Sequence, residues 1–196
     1  MAALRSVIIL GCVFGVLSAG FGQQAPSRPK KVLTPEQEAL QQQMKQVGAE
    51  RESLRAKAKE AFEQEMAREK AGDCPDAHNT YQFNMCYQKA LGATDQNLKT
   101  YEGAIRDLLS LQYPNLTGQP PMPGVAGPVL TPEQLAADFD RVEEAWHTYL
   151  DAACTAAFHQ FGGGTGGPSA DMECQLRLMR GHMRELDTIY YMRLHM

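Results

Sequence analysis

Residues 131–190 read TPEQLAADFDRVEEAWHTYLDAACTAAFHQFGGGTGGPSADMECQLRLMRGHMRELDTIY, and two helices are written into them. Thr131 supplies a cap, Pro132 stands at a first helical position that needs no amide hydrogen, and Gln134 closes a capping box. Leu135, Phe139, Val142, Trp146, Tyr149 and Ala153 then recur at spacings of three and four, which is one face of a helix. The run Gly162, Gly163, Gly164, Thr165, Gly166, Gly167 with Pro168 after it stops the helix. A second helix from about Ser169 carries Leu176, Met179, Met183, Leu186 and Tyr190 at the same spacing. Two such stripes joined by a short loop bury each other as antiparallel neighbours.

Working outward, the same four residues recur as Thr34-Pro35-Glu36-Gln37 and open a helix to about Lys70, ended by Gly72 and Pro75. The residues after the two copies do not match, so shared capping chemistry explains the repetition better than an internal repeat. Leu40, Val47, Leu54 and Ala61 recur every seventh residue, but the companions Gln37, Arg51 and Glu65 are polar. Half a seam predicts a long, mostly exposed amphipathic helix in preference to a coiled coil. A further helix runs from about Asn79 to Gln112, with Leu91, Leu98, Tyr101, Ile105 and Leu108 on one face. Residues 113–130 hold Pro114, Pro120, Pro121, Pro123 and Pro128 and cannot sustain a helix. With no convincing strand, the fold class is all-α: a small disulfide-stapled three-helix bundle preceded by the long helix of residues 34–72.

The N-terminus has the order of an export signal: one positive charge at Arg5, an apolar stretch over 7–17, then Ser18, Ala19, Gly20 and Gly22. Cleavage is expected between about Gly20 and Gln23, giving a signal peptide of residues 1–22 and a polar, proline-bearing tether over 23–33. Ile9-Leu10-Gly11-Cys12 superficially resembles a lipid-attachment box. The apolar run before it is short and continues past Cys12, so lipid anchoring is not expected. Nor does any stretch reach the ~20 apolar residues of a flanked membrane span. Cleavage removes one base and no acid from a chain whose net charge is already -4. That balance argues against a nucleic-acid binder.

Cleavage also removes Cys12 and leaves Cys74, Cys86, Cys154 and Cys174, an even number in an exported chain, which favours disulfides. Zinc ligation by the four would need a close Cys-x-x-Cys pair, and there is none. Cys154 near the end of one helix meets Cys174 near the start of the next, and Cys74 lies where the entry segment folds back on Cys86. Of three possible connectivities, 74–86 with 154–174 ranks first.

The order of these residues carries a resemblance. Cys74, eleven residues, Cys86; Asp95 with Leu98 and Tyr101; Trp146-x-x-Tyr149-x-Asp151-x-x-Cys154; a glycine-rich loop; Cys174 and Leu186: this resembles the LprI-like lysozyme inhibitor domain, over about 74–190. The resemblance implies a helical, cysteine-bridged, exported bacterial domain, periplasmic or secreted, that binds a c-type lysozyme and performs no chemistry. Two positions depart from the pattern. Leu150 and His182 stand where the family has arginines, so any pairing of those arginines with Asp95 or Asp151 is altered.

Both readings contribute candidate site residues. Asp95 falls between apolar neighbours and would need a partner such as His182 or an arginine if buried. Trp146, Tyr149 and Leu186 are expected in the core, with Asp151 as a structural neighbour of Cys154. The five histidines form no metal-ligand spacing and are expected at surfaces and helix ends, and no cofactor is implied. Gly162–Gly167 lack the Gly-Lys-Ser/Thr ending of a phosphate loop. An exposed loop on a rigid scaffold is a natural binding element, and with Asp171 and Glu173 it forms the candidate partner surface. The alternative is an envelope adaptor that binds its partner through the helix of residues 34–70.

Overall fold

The computed structural model describes residues 33–114 and 130–196, and all regular structure among them is helical. The order is α1 (Pro35–Ala71), α2 (Thr80–Ser110), α3 (Pro132–His159), α4 (Gly167–Ile189) and the short α5 (Tyr191–His195). The expected signal peptide of residues 1–22, nearly all of the 23–33 tether and most of the 113–130 connection lie outside the described residues.

The predicted helix starts form by the predicted chemistry. In α1 the Gln37 amide donates to Thr34 Oγ1 at 3.3 Å and the Thr34 amide donates to Gln37 Oε1 at 3.1 Å. In α3 the corresponding distances are 3.3 Å and 2.9 Å between Thr131 and Gln134. Asn79 Oδ1 accepts from the Gln82 amide at 2.9 Å and caps α2. Each cap satisfies amides that the first helical turn leaves without partners.

α2 is the central helix, packed against α1, α3 and α4. Its Leu98, Tyr101, Ala104, Ile105 and Leu108 meet Ala58 and Ala61 of α1, Phe139 and Leu150 of α3, and Met179, Met183 and Leu186 of α4. The leucine, isoleucine, phenylalanine and methionine side chains among these stabilise the fold by roughly 1.5–3 kcal/mol each when fully buried. Alanines at 58, 61 and 104, all buried, let α1 approach α2 closely. The ring of Phe62 lies 5.6 Å from that of Tyr101. Pairs such as Phe62–Tyr101 and Glu65–Asn97 run in opposite directions along the two helices, so α1 and α2 are antiparallel. Glu143–His182 and Cys154–Cys174 establish the same for α3 and α4.

Two expectations about helix faces change. The first half of α1 is largely exposed, as expected, but its second half is not: Glu65, read as a polar companion of the heptad, is 0% exposed. On α3 the buried face is Ala136, Phe139, Glu143, Leu150 and Cys154. Val142 lies exposed beside it, and Tyr149 is 57% exposed and no core residue. The helix is turned so that Glu143 reaches a polar partner inside the bundle and Cys154 reaches Cys174.

Candidate functional site

Both disulfides lie at one end of the bundle, where α1 and α3 finish and α2 and α4 begin. Cys74 pairs with Cys86 across 5.9 Å between Cα atoms, and Cys154 with Cys174 across 5.4 Å. Cross-links over 12 and 20 residues are each worth about 3 kcal/mol in the chain-entropy account. Between the second pair runs the glycine loop, which is folded on itself and is more than a slack turn. Gly162 and Gly163 hold φ of 53° and 82°, a left-handed conformation that side chains disfavour. The Gly164 amide donates to the Phe161 carbonyl at 2.8 Å. A Cβ on Gly166 would sit 2.8 Å from the Phe161 ring, so the loop closes over phenylalanine only because glycine is there.

Gly162, Gly163, Gly164 and Thr165 are exposed, while Gly166 is half-buried and Gly167 buried. Half-exposed Phe161 and the exposed Tyr81 and Met85 of α2 share this end. An open groove of about 320 Å³ lies beside the first disulfide, lined by Glu69, Asp73, Phe83, Tyr87, Glu173 and Arg177 among others. Phe83 and Tyr87 stack along it at 5.9 Å. Glu173 is exposed, whereas Asp171 is half-buried and accepts a hydrogen bond from Gln175 at 3.0 Å. This end therefore combines stapled backbone, exposed aromatic rings and acidic groups, which suits it to contact another protein.

Beneath the groove is a buried ionic network. Glu65 accepts from Arg180 Nε at 2.8 Å, Arg68 Nη1 at 2.7 Å, Thr94 Oγ1 at 2.8 Å and Asn97 Nδ2 at 2.9 Å. Arg180 also holds Asp73 with two 2.7 Å bonds, and the Asp73 carbonyl lies 3.0 Å from Cys86 Sγ. Burial alone would raise the Glu65 carboxyl, but the hydrogen bonds from Asn97, Arg180 and Thr94 and the charge of Arg68 hold it below the ordinary carboxylate value. The network joins α1, α2 and α4 and fixes the loop that carries Cys74.

A second polar cluster lies deeper along α2, α3 and α4. His182 Nε2 is 2.9 Å from Glu143 Oε2, and these residues are 4% and 8% exposed. The imidazole stacks on the Trp146 indole at 4.0 Å and 8°. Glu102 completes the group, and one ligand atom from each of the three residues lies within 4.8 Å of the others. Burial first, then the charge of Glu143 and a hydrogen bond with it, push the Glu102 carboxyl up to about 8. Glu102 Oε1, Glu143 Oε1 and His182 Nδ1 are buried without hydrogen-bond partners.

A family model described as lysozyme inhibitor LprI matches residues 71–186. The chain belongs to the LprI family. No match was found among curated proteins, and none among solved structures. In this LprI-family protein the matched span contains both disulfides, the glycine loop and the Glu102–Glu143–His182 cluster. Glu65 and Arg68, two of the six residues in the ionic network, precede it.

The remaining positions singled out by the sequence divide between core and surface. Leu186 is buried, and Trp146 is partly buried against the core. Asp95 is not a buried carboxylate: it faces outward and pairs with Lys99 at 2.7 Å, while its neighbour Thr94 turns inward to Glu65. Asp151 is exposed, one helical turn from Cys154 on α3. Leu150, at a family arginine position, is an ordinary core residue. His182, at the other, is buried, contrary to its expected place on the surface. Sequence reasoning misses Glu65, Arg180, Glu102 and Glu143 because each pairs across helices, and local spacing carries no trace of such pairing.

Proposed function

We propose that the mature protein is an exported inhibitor that binds a c-type lysozyme through the disulfide-bearing end of the bundle and performs no chemistry. Membership of the LprI family carries this reading. The two disulfides are compatible with an extracytoplasmic place, and no described helix is long and apolar enough to cross a membrane. Export is accompanied by cleavage between about Gly20 and Gln23; an intact mass that retains residues 1–20 or carries acyl chains on Cys12 would refute it. The contact surface comprises the glycine loop, Phe161, Glu173 and the rim of the groove. Staples that fix this loop before binding reduce the ordering cost of association. The acidic chain is drawn to a basic enzyme, and the attraction is screened beyond ~8–10 Å in salt.

Titrating the mature chain, disulfides verified, against c-type lysozyme in a cell-wall clearing assay tests the proposal. Inhibition near one equivalent is expected, weakening as salt rises and falling several-fold in Glu173→Lys. No inhibition at large molar excess overturns it. The alternative is an envelope adaptor that uses the 34–70 helix, which the exposed first half of α1 favours.

A further inference from the structure

The Glu102–Glu143–His182 cluster takes no part in the proposed lysozyme contact. It lies eleven residues from Cys154 along α3, about 16 Å of helix. The geometry points to a binding site for one divalent transition-metal ion, with zinc the best fit, held between α2, α3 and α4 by Glu102, Glu143 and His182.

Four observations converge on it. One imidazole and two carboxylates from three different helices point into the same small space, the usual way a helical bundle builds a metal site. Their ligand atoms lie within 4.8 Å of one another, so shifts of about an ångström bring them to the 2.0–2.2 Å distances of zinc. The cluster as it stands is under-satisfied. Glu102 Oε1 and Glu143 Oε1 are buried acceptors with nothing donating to them, and His182 Nδ1 is a buried ring nitrogen in the same state. Such orphaned groups are costly and uncommon in native interiors. Finally, charge closes: the ion displaces the proton that burial keeps on Glu102, and two carboxylates and a neutral imidazole around a divalent cation then sum to zero in a place where uncompensated charge is expensive.

The surroundings fit a ligand set as well. When His182 Nε2 turns to the ion, its Nδ1–H points toward Glu185 Oε2, now 3.7 Å away. A carboxylate behind a ligating histidine fixes its tautomer and orientation. The Trp146 indole, stacked on the ring, holds its plane. His147, half-exposed and 4.0 Å from Glu102 Oε2, stands at the solvent edge as the entry route and a fourth ligand within reach. The ion would cross-link three helices and stabilise the folded chain by mass action.

The test uses the mature chain with both disulfides intact, first stripped with a chelator and then titrated with zinc chloride by calorimetry. One saturable equivalent is expected, with a dissociation constant in or below the micromolar range. Trp146 is the sole tryptophan, so its emission should change over the same equivalent. Zinc should also raise the melting temperature by several degrees. His182→Gln should weaken binding at least tenfold, and His78→Gln, on an exposed histidine, should leave it unchanged. Glu102→Gln guards against misfolding as an explanation, because it replaces a carboxyl whose ionisation burial and Glu143 already penalise. Its metal-free melting temperature should equal or exceed that of the parent while its response to zinc is lost. Absence of saturable binding in the parent overturns the proposal, as does binding that survives in both Glu102→Gln and His182→Gln. Neither outcome bears on lysozyme inhibition.

Discussion

Arg180 is held by two carboxylates at once, and its removal strands both. Glu65 is wholly buried and Asp73 nearly so, and breaking one side of such a pair costs about 3–5 kcal/mol. Arg180→Met is therefore expected to lower unfolding free energy by that amount in urea titrations. Adding Glu65→Met should recover part of the loss, because the stranded charge goes with it. The same carboxylate sets an acid limit. Its folded-state value lies below the ordinary 4.5, so it binds a proton less readily in the folded chain than in the unfolded one. Its contribution is fully present above about pH 4.5 and is lost as pH falls through the depressed folded value. Melting temperature measured from pH 6 downward should begin to drop below pH 4.5, and that Glu65-linked drop should be absent in Glu65→Gln. None of this shows in hydropathy, which scores Glu65 as solvated; its burial is made tolerable by Arg68 and by Thr94, Asn97 and Arg180 from other helices.

Within single helices and their connections, glycine separates two opposite outcomes. Gly103 lies inside α2 with open space where a Cβ would go, so Gly103→Ala should stabilise the chain by about 0.5–1 kcal/mol through helix propensity. Gly163 has equal space but a φ of 82°, so Gly163→Ala should destabilise by about 1–2 kcal/mol. Chemical denaturation of the two variants side by side distinguishes conformational strain from crowding. Caps, helix extents and the meeting of Cys154 with Cys174 are legible in the sequence because each is local or depends on a short connection. The rotation of α3 is not. Its most apolar stripe runs through Val142 and Tyr149, yet the face turned inward includes Glu143, because a buried imidazole awaits it and the disulfide fixes the helix lower down. Apolar periodicity finds a buried face reliably only where that face is wholly apolar. α2 is nearly so, and its apolar stripe coincides with the face it buries, whereas α4 buries Arg180 and His182 beside its stripe.

Across the molecule, the recognisable family span and the cooperative body do not begin at the same residue. The LprI match starts at residue 71, the last residue of α1, while Thr34–Met196 form one compact unit. Ala58, Ala61 and Glu65 belong to the same interior as α2 and α4, and Arg55 reaches the Arg193 carbonyl of α5 at 2.8 Å. A chain started at residue 71 would keep all four bridging cysteines and every ligand of the proposed metal site. It would still expose Leu98 and Tyr101 along one side of α2 and leave Arg180 without Glu65. Such a truncation is expected to lose cooperative thermal unfolding and to bind a hydrophobic dye. Removing only residues 34–42, whose side chains are mostly exposed, should change stability by less than about 1 kcal/mol. The pair of truncations also separates the two functional readings without confusing either with misfolding. An inhibitor that works through the disulfide-bearing end keeps its potency when residues 34–42 are removed. A chain that loses partner capture after so mild a trim would place its function in the exposed start of α1 instead.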